Sequence, residues 1–173
     1  NAGLSFDRGL LATSLGTTPL SSGFTMKLNS SAKYGLTRGG YIDAQISLTE
    51  LGEAIVAPKG DDELSRALIK AATFPNVFLQ FYHIIDGSRL PEDTYEQNML
   101  QREIGIHSDL TGECLGIIKA NGFYADIFRR EKDYIYILLQ ESQQLGIELK
   151  QAQQTAIPHE SKDNKDYYVN VGQ

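Results

Sequence analysis

Small polar and basic residues on one side of a predicted helix are the groups of this sequence best suited to chemistry with a ligand. Phe24, Leu28 and Ala32 recur every four residues, which predicts a helix over about 22–34 with one apolar side. Hydroxyl, amide and ammonium groups donate or accept hydrogen bonds, and this is the chemistry that contacts base edges and phosphates. The opposite side of the predicted helix carries five such groups: Thr25, Lys27, Asn29, Ser30 and Lys33.

Catalytic chemistry has weaker support in the sequence. His83, His107 and His159 have no second histidine, cysteine or carboxylate at metal-ligand spacing. Cys114 lacks the flanking signature of a nucleophile, and its apolar neighbours favour a buried structural residue. Acidic residues at the starts of predicted helices are explained by the helix dipole. We therefore expect no enzymatic activity, no metal site and no cofactor.

Capping residues and glycines define the elements that position the polar helix face. The two serines at 21–22 both suit an N-cap, and Gly35 stands where a left-handed residue ends a helix. The glycines at 39–40 predict a tight reversal. Residues 41–48 then predict an imperfect strand, because their apolar residues alternate only in part, and Thr49 is expected to cap the next helix.

This order of elements resembles the winged helix-turn-helix family. KYGLTRGG is similar to the segment that joins the reading helix to the wing in that family, and ISLTELG is similar to the segment that closes the wing. More narrowly, SSGF, SSAKYGL, ISLTELGEAIVAP and LPEDTYEQNMLQREIGI resemble uncharacterised prokaryotic proteins that join a winged helix to a helical carboxy-terminal region. The resemblance covers about residues 6–128. Such modules usually have another helix ahead of the one over about 6–15, and we expect a carboxy-terminal helix in its place.

The resemblance implies a reading helix over about 22–34 and a wing over about 37–48 that together bind double-stranded DNA. The side chains expected in the major groove are Thr25, Asn29, Ser30 and Lys33, those expected on phosphates are Ser22 and Lys27, and those expected to contact the backbone or minor groove from the wing are Arg38 and Tyr41. Because Ser and Thr read bases ambiguously, sequence preference should be modest unless two copies act together. The alternative is a protein–protein interaction or dimerisation module that does not bind nucleic acid.

Charge is unevenly distributed along the 173 residues. Residues 1–60 hold five Lys/Arg against four acidic residues, a net charge of +1, and the remainder holds 11 against 18, or −7, which gives the total of −6. The basic balance therefore coincides with the predicted DNA-binding module. It is small for a protein that binds phosphates, so we expect a dimer or a neighbouring domain to supply further cations.

From residue 59 onward the apolar periodicity is mostly helical. It predicts helices over about 61–72, 76–85, 92–103 and 108–121. We also expect a long helix over about 131–154, although Tyr134-Ile135-Tyr136-Ile137 has strand propensity. The long helix would hide its apolar stripe inside the protein or in a homodimer through about 131–151. Residues 155–173 are polar, and residues 167–171 suit addition as a strand to a sheet edge.

The sequence thus predicts a mainly α protein with a small β-wing, in which a winged helix-turn-helix is followed by a helical bundle lobe. Its predicted divisions are an expression scar at 1–2, the winged-helix module at 3–58, a helical lobe packed on it at 59–128, and a long helix with a polar tail at 129–173. No apolar run approaches the roughly 18 residues of a membrane helix, so we expect no membrane contact. A single cysteine, Cys114, favours a reduced, cytoplasmic protein.

Overall fold

The chain is mainly helical, with seven α-helices and five short strands among the residues that the structure describes. The structure is a computed structural model that describes residues 5–132, 134–137 and 139. In chain order the elements are β1 (Ser5–Asp7), α1 (Arg8–Ser14), α2 (Ser22–Lys33), β2 (Thr37–Arg38), β3 (Gln45–Leu48), α3 (Glu50–Val56), α4 (Asp61–Ala72), α5 (Asn76–Ile85), α6 (Asp93–Arg102), a 3-10 turn (Ser108–Leu110), α7 (Thr111–Tyr124), β4 (Phe128–Glu131) and β5 (Tyr134–Ile137). A mainly α fold with a small β component is therefore confirmed.

The first lobe, residues 5–56, which we call the amino-terminal lobe, combines three helices with a three-stranded antiparallel sheet. β3 is the central strand, with β1 on one edge and β2 on the other. Phe6 lies opposite Ile46, and Arg38 lies opposite Ser47. The small core of this lobe consists of Ala12, Phe24, Leu28 and Ile46. Phe24 and Leu28 are the residues whose spacing predicts the apolar side of α2, so that part of the prediction is confirmed.

The first helix begins later than the sequence predicts. A helix is expected over about 6–15, whereas residues 5–7 form β1 and α1 starts at Arg8. Asp7 sets this boundary, because its Oδ1 accepts hydrogen bonds from the N–H groups of Gly9 (2.8 Å) and Leu10 (3.0 Å). The residues before this cap are free to extend and pair with β3.

The predicted strand over 41–48 is also corrected, because only Gln45–Leu48 is a strand and residues 39–44 form a loop. Gly39 adopts a φ of 92°, and a Cβ there would lie 2.5 Å from the carbonyl oxygen of Gln45. The N–H of Gly40 donates to Asp43 Oδ2 at 2.7 Å, which closes the loop. The expected tight reversal is therefore a six-residue loop that projects Tyr41 into solvent.

The junction between α2 and α3 follows the local signals of the sequence. Gly35 has a φ of 70°, as the predicted end of α2 requires. Thr49 accepts a hydrogen bond from the N–H of Gly52 (3.0 Å) and donates to the carbonyl oxygen of Gly35 (2.6 Å). A Cβ on Gly52 would lie 2.2 Å from the carbonyl oxygen of Leu36, so only glycine lets α3 approach this turn.

The second lobe, residues 61–139, which we call the helical lobe, contains the larger core. Helices α4 to α7 pack around aromatic and aliphatic side chains, and Tyr82 Oη donates to the carbonyl oxygen of Ile118 at 2.8 Å. Phe128 makes edge-to-face contacts with Tyr82 and Phe123, at centroid distances of 5.7 and 5.4 Å. The largest fully buried apolar residues here are Phe81, Tyr82, Leu100, Ile118, Ile127, Ile137 and Leu139.

A β-hairpin replaces the start of the long helix that the sequence predicts over about 131–154. β4 pairs antiparallel with β5, with Phe128 opposite Ile137. Side chains alternate between the two faces of β5, so Ile135 and Ile137 both pack against the core of the helical lobe. This packing explains why the segment follows its strand propensity and does not form a helix. Residue 138 and residues 140–173 lie outside the described residues. The rest of the predicted helix, the dimer contact that it would make and the strand at 167–171 therefore stay predictions.

Among the described residues, no helix combines the length and the apolar character needed to cross a membrane.

Candidate nucleic-acid interface

One face of α2 is open to solvent and carries most of the residues predicted to contact a ligand. At about 100° per residue, Ser22, Asn29, Ser30 and Lys33 project from the same side of the helix. Ser22, Ser30 and Lys33 are exposed and Asn29 is half-buried. We call these four residues, together with Met26, the α2 strip. The structure thus brings together four of the six helix residues predicted as ligand contacts.

Two of the predicted residues lie at the margins of the α2 strip. Thr25 is half-buried and turns toward the side of Leu28, which belongs to the core. Lys27 is exposed but lies about 120° around the helix from Lys33. A flat surface laid on the strip would therefore meet Lys33 directly and Lys27 only at its flank.

Met26 is a member of the α2 strip that sequence reasoning missed. Its side chain is 66% exposed, although methionine is an apolar residue. Ser22 and Ser30, four residues before and after it, are exposed on the same side. The four-residue spacing of Ser22, Met26 and Ser30 in the sequence is the pattern that would have identified Met26.

Capping fixes where α2 starts and leaves Ser22 free for other contacts. The side chain of Ser21 accepts a hydrogen bond from the N–H of Phe24 at 3.1 Å, so Ser21 is the N-cap. Its hydroxyl also lies 2.7 Å from Thr17 Oγ1, which ties the cap to the preceding turn. Ser22 is therefore the first helical residue, and its hydroxyl has no capping role.

The β2–β3 ribbon supplies the other two predicted contacts. Arg38 is exposed on the edge strand β2, and Tyr41 is 54% exposed in the loop that follows. Arg8 Nη1 donates hydrogen bonds to the carbonyl oxygens of Tyr41 and Pro19. Arg8 thus holds the ribbon loop against the turn that precedes α2, a positioning role that the sequence analysis did not assign.

The cations of this surface are available to an external anion. Within the described part of the chain, Lys27, Lys33 and Arg38 form no ion pair. The nearby acidic groups are occupied with the backbone, because Asp7 caps α1 and Asp43 closes the ribbon loop. Lys33 on the α2 strip and Arg38 on β2 are therefore without an ion-pair partner in the described part of the chain.

The carboxy-terminal end of α2 contacts the helical lobe. Tyr34, which follows the last residue of α2, accepts a hydrogen bond on its hydroxyl from Asn121 Nδ2 of α7 at 2.7 Å. Its ring packs against Phe78 of α5 with a centroid distance of 6.1 Å. A ring atom of Phe74 would lie 2.5 Å from a Cβ on Gly35, so the two lobes approach closely at this turn. The carboxy-terminal end of α2 is thus anchored to the helical lobe.

Where the structure describes them, the histidines considered for catalysis are exposed and the cysteine is half-buried. His83 and His107 are exposed, and His159 lies outside the described residues. Burial first, and the charge of Glu113 second, raises the pKa of the Cys114 thiol, so the thiolate that a nucleophile requires is disfavoured. In the described part of the chain, no three His, Cys, Asp or Glu residues lie close enough to hold a metal ion.

The most unusual ionisable group is Glu96, which the sequence analysis did not single out. Glu96 is completely buried, and its Oε2 lies 2.6 Å from Lys119 Nζ. Lys119 also contacts Asp93 at 2.7 Å. Burial raises the pKa of Glu96, and the hydrogen bond and charge of Lys119 oppose this rise only in part. Because no solvent reaches Glu96, we interpret the pair as structural.

Comparison of the chain with protein-family models, curated proteins and solved structures gives no significant match.

Proposed function

We propose that the amino-terminal lobe is a winged helix-turn-helix module that binds duplex DNA, with α2 as its reading helix and residues 37–48 as its wing. The observation that carries this proposal is the exposure of two cations without ion-pair partners among the described residues, Lys33 in the last turn of α2 and Arg38 on β2, five positions further along the chain. The order β1–β3–β2, with two helices between the first two strands in sequence, supports it. The role would be regulatory and non-enzymatic.

Four of the five members of the α2 strip, Met26, Asn29, Ser30 and Lys33, have a matching partner in the major groove. The amide of Asn29 can pair with an adenine edge, and the ammonium of Lys33 can donate to guanine acceptors. The side chain of Met26 can contact a thymine methyl group, which is an apolar target. The hydroxyls of Thr25 and Ser30 add adaptable hydrogen bonds. Ser22 and Lys27 would contact phosphates at the flanks, and Arg38 with Tyr41 would contact the backbone or minor groove from the wing.

The low positive charge of the module predicts weak binding by one copy. Affinity for duplex DNA rises with the number of phosphates neutralised, and this lobe offers few cations. Two copies on adjacent half-sites would double that number. A cytoplasmic setting belongs to the same proposal, because the only cysteine of the sequence, Cys114, suits a reducing compartment.

The test is fluorescence anisotropy with a labelled random-sequence duplex across a salt series. We expect affinity to fall with salt and expect Lys33→Glu and Arg38→Glu each to abolish measurable binding while far-UV circular dichroism stays unchanged. Lys70→Glu, an equal charge change at an exposed position on α4, is the matched control and should bind better than either variant. Undiminished affinity in both Lys33→Glu and Arg38→Glu would end the proposal.

A second candidate function is self-association or protein binding by the same lobe without nucleic acid. The observation that favours it is a set of exposed apolar side chains on β1, α1 and the following turn, since Phe6 is 54%, Leu10 71% and Leu20 88% exposed. Exposed apolar groups in such number are typical of interaction surfaces. Light scattering of the eluting protein should show a dimer that Leu10→Ser dissociates and Leu110→Ser, at a 54% exposed position on the other lobe, does not.

A further inference from the structure

The β4–β5 hairpin is extended by a third segment, residues 87–90, that runs along β5. The N–H of Leu90 donates to the carbonyl oxygen of Ile135 at 2.8 Å, and the N–H of Ile137 donates to the carbonyl oxygen of Ser88 at 3.3 Å. Arg89 is paired with Tyr136 across this edge. β5 is therefore bounded by β4 on one side and by the segment containing Arg89 on the other.

The pairing places two arginines, two tyrosines and one glutamate on one face of this small sheet. Residues directly opposite each other in a sheet point to the same side, so Arg129, Tyr136 and Arg89 form a row across it. Tyr134 lies two residues before Tyr136 and therefore shares their face, as does Glu131, which is paired with Tyr134. The other face buries Phe128 and its partner in β5, so the arginine–tyrosine face is directed outward.

The guanidinium of Arg89 is held in place on this outward face. Its central carbon lies 3.4 Å from the centroid of the Tyr134 ring, a stacked cation–π contact. Stacking covers one flat side of the guanidinium and leaves its N–H groups at the edge available to acceptors. The Arg89 side chain is exposed, as is that of Arg129. Among the described residues, neither arginine forms an ion pair.

The cations of the hairpin lie in a part of the chain that is otherwise acidic. Residues 61–173 are acidic overall, yet Arg129, Arg130 and Lys132 fall within four consecutive positions of the hairpin, with Glu131 between them. Arg89 joins them only through the fold. The hairpin thus carries a surplus of positive charge within an acidic lobe, although Arg130 is paired with Ile135 and lies on the face opposite to Arg129.

We propose that the face defined by Arg89, Arg129, Tyr134 and Tyr136 is a second DNA contact, which binds the phosphates of a duplex without reading its bases. This inference rests on the proposed function of the amino-terminal lobe. Arg89 and Arg129 are separated by two strand spacings, roughly 10 Å, so they reach different phosphates. Guanidinium and phenol groups both donate to phosphate oxygens. The face therefore supplies cations that the weakly charged amino-terminal lobe lacks.

The experiment compares salt dependence of duplex binding in three proteins: wild type, the double variant Arg89→Gln/Arg129→Gln, and the control double variant Lys70→Gln/Arg102→Gln. The control removes the same two charges from exposed positions elsewhere on the helical lobe. Each lost phosphate contact lowers the magnitude of the negative slope of log affinity against log salt by about 0.9, so this magnitude should fall by roughly 2 in the hairpin variant and by less than half of that in the control. Equal losses in both variants, or no loss in the hairpin variant, would overturn the inference.

Two further variants separate this inference from the proposed function and from misfolding. If Lys33→Glu and Arg38→Glu both leave affinity intact while Arg89→Gln/Arg129→Gln lowers it, the hairpin contact stands and the reading-helix proposal fails. If Lys33→Glu lowers affinity and Arg89→Gln/Arg129→Gln does not, the reading-helix proposal stands and the hairpin contact fails. Arg129→Gln alone leaves the stack of Arg89 on Tyr134 in place, so this variant should fold as wild type. The magnitude of its salt-dependence slope should fall by about 1. Absence of any binding by the wild-type chain at low salt would overturn both.

Discussion

The two lobes differ in where they place their polar chemistry. The amino-terminal lobe buries only four apolar side chains among its described residues, those of Ala12, Phe24, Leu28 and Ile46, and turns its cations outward. The core cluster of the helical lobe contains fourteen buried apolar residues, and this lobe also holds an ion pair whose carboxylate is completely buried. A lobe with so small a core cannot be the main source of stability, because burial of apolar surface dominates folding free energy. We infer that the helical lobe supports the fold and that the amino-terminal lobe presents a surface.

The largest effect expected from this difference is the response to loss of a core phenylalanine. Phe24→Ala removes about 3–5 kcal/mol from a core of four residues, so the amino-terminal lobe should unfold while the helical lobe persists. Phe81→Ala removes a similar amount from the larger core and should lower the global unfolding free energy instead. Hydrogen exchange resolved by peptide separates the two responses. Simultaneous loss of protection in both lobes of Phe24→Ala would show that they unfold as one unit.

A second prediction concerns the buried pair of the helical lobe. Because the pKa of Glu96 is raised in the folded state, its neutral form stabilises the fold below the usual carboxyl pKa, and this contribution is lost as pH rises through the folded value. Lys119→Met removes the group that opposes the raised pKa and leaves a buried carboxylate without its partner. We expect a loss of about 3 kcal/mol at pH 8 and a smaller loss at pH 5, where Glu96 can take up a proton.

Urea unfolding of Lys119→Met at the two pH values measures this difference. The control is the double variant Glu96→Gln/Lys119→Met, which no longer has a buried charge and should recover most of the stability lost at pH 8. A loss that is independent of pH, or one that the double variant does not recover, would show that packing of the Lys119 stem outweighs its charge.

Local signals account for what the sequence predicted well in the amino-terminal lobe. Phe24 and Leu28 repeat at helical spacing, Gly35 requires a left-handed conformation, and Thr49 caps the helix that follows it. Each of these signals acts within a few residues of the chain. The helix ends and the apolar side of α2 could therefore be placed without tertiary information.

Features that depend on distant partners could not be placed in this way. β1 is a strand because Phe6 and its neighbours pair with β3, on the far side of two helices in sequence. The hairpin forms because Ile137 reaches the core of the helical lobe, whereas the composition after residue 130 favours a helix. The same limit applies to the contact of Arg89 with Tyr134, which no local pattern brings together.

The smallest expected effect tests how firmly the two lobes are joined. Tyr34→Phe removes the hydroxyl that accepts the hydrogen bond of Asn121 and keeps the ring that packs against Phe78. The cost should be about 1 kcal/mol, typical of one hydrogen bond. Hydrogen exchange should quicken in the last turn of α2, because that turn loses its polar tie to α7. Tyr124→Phe is the control, since Tyr124 is 75% exposed.

The outcome decides whether the helical lobe orients the α2 strip or only stabilises it. If the Asn121 bond orients the helix, Tyr34→Phe weakens DNA binding by more than Tyr124→Phe does, because a tilted α2 presents Lys33 and the ribbon to the duplex less well. If the ring contact with Phe78 is sufficient, exchange and affinity match those of the control. In that case apolar packing alone would couple the two lobes. The helical lobe would then stabilise the amino-terminal lobe without fixing the orientation of α2.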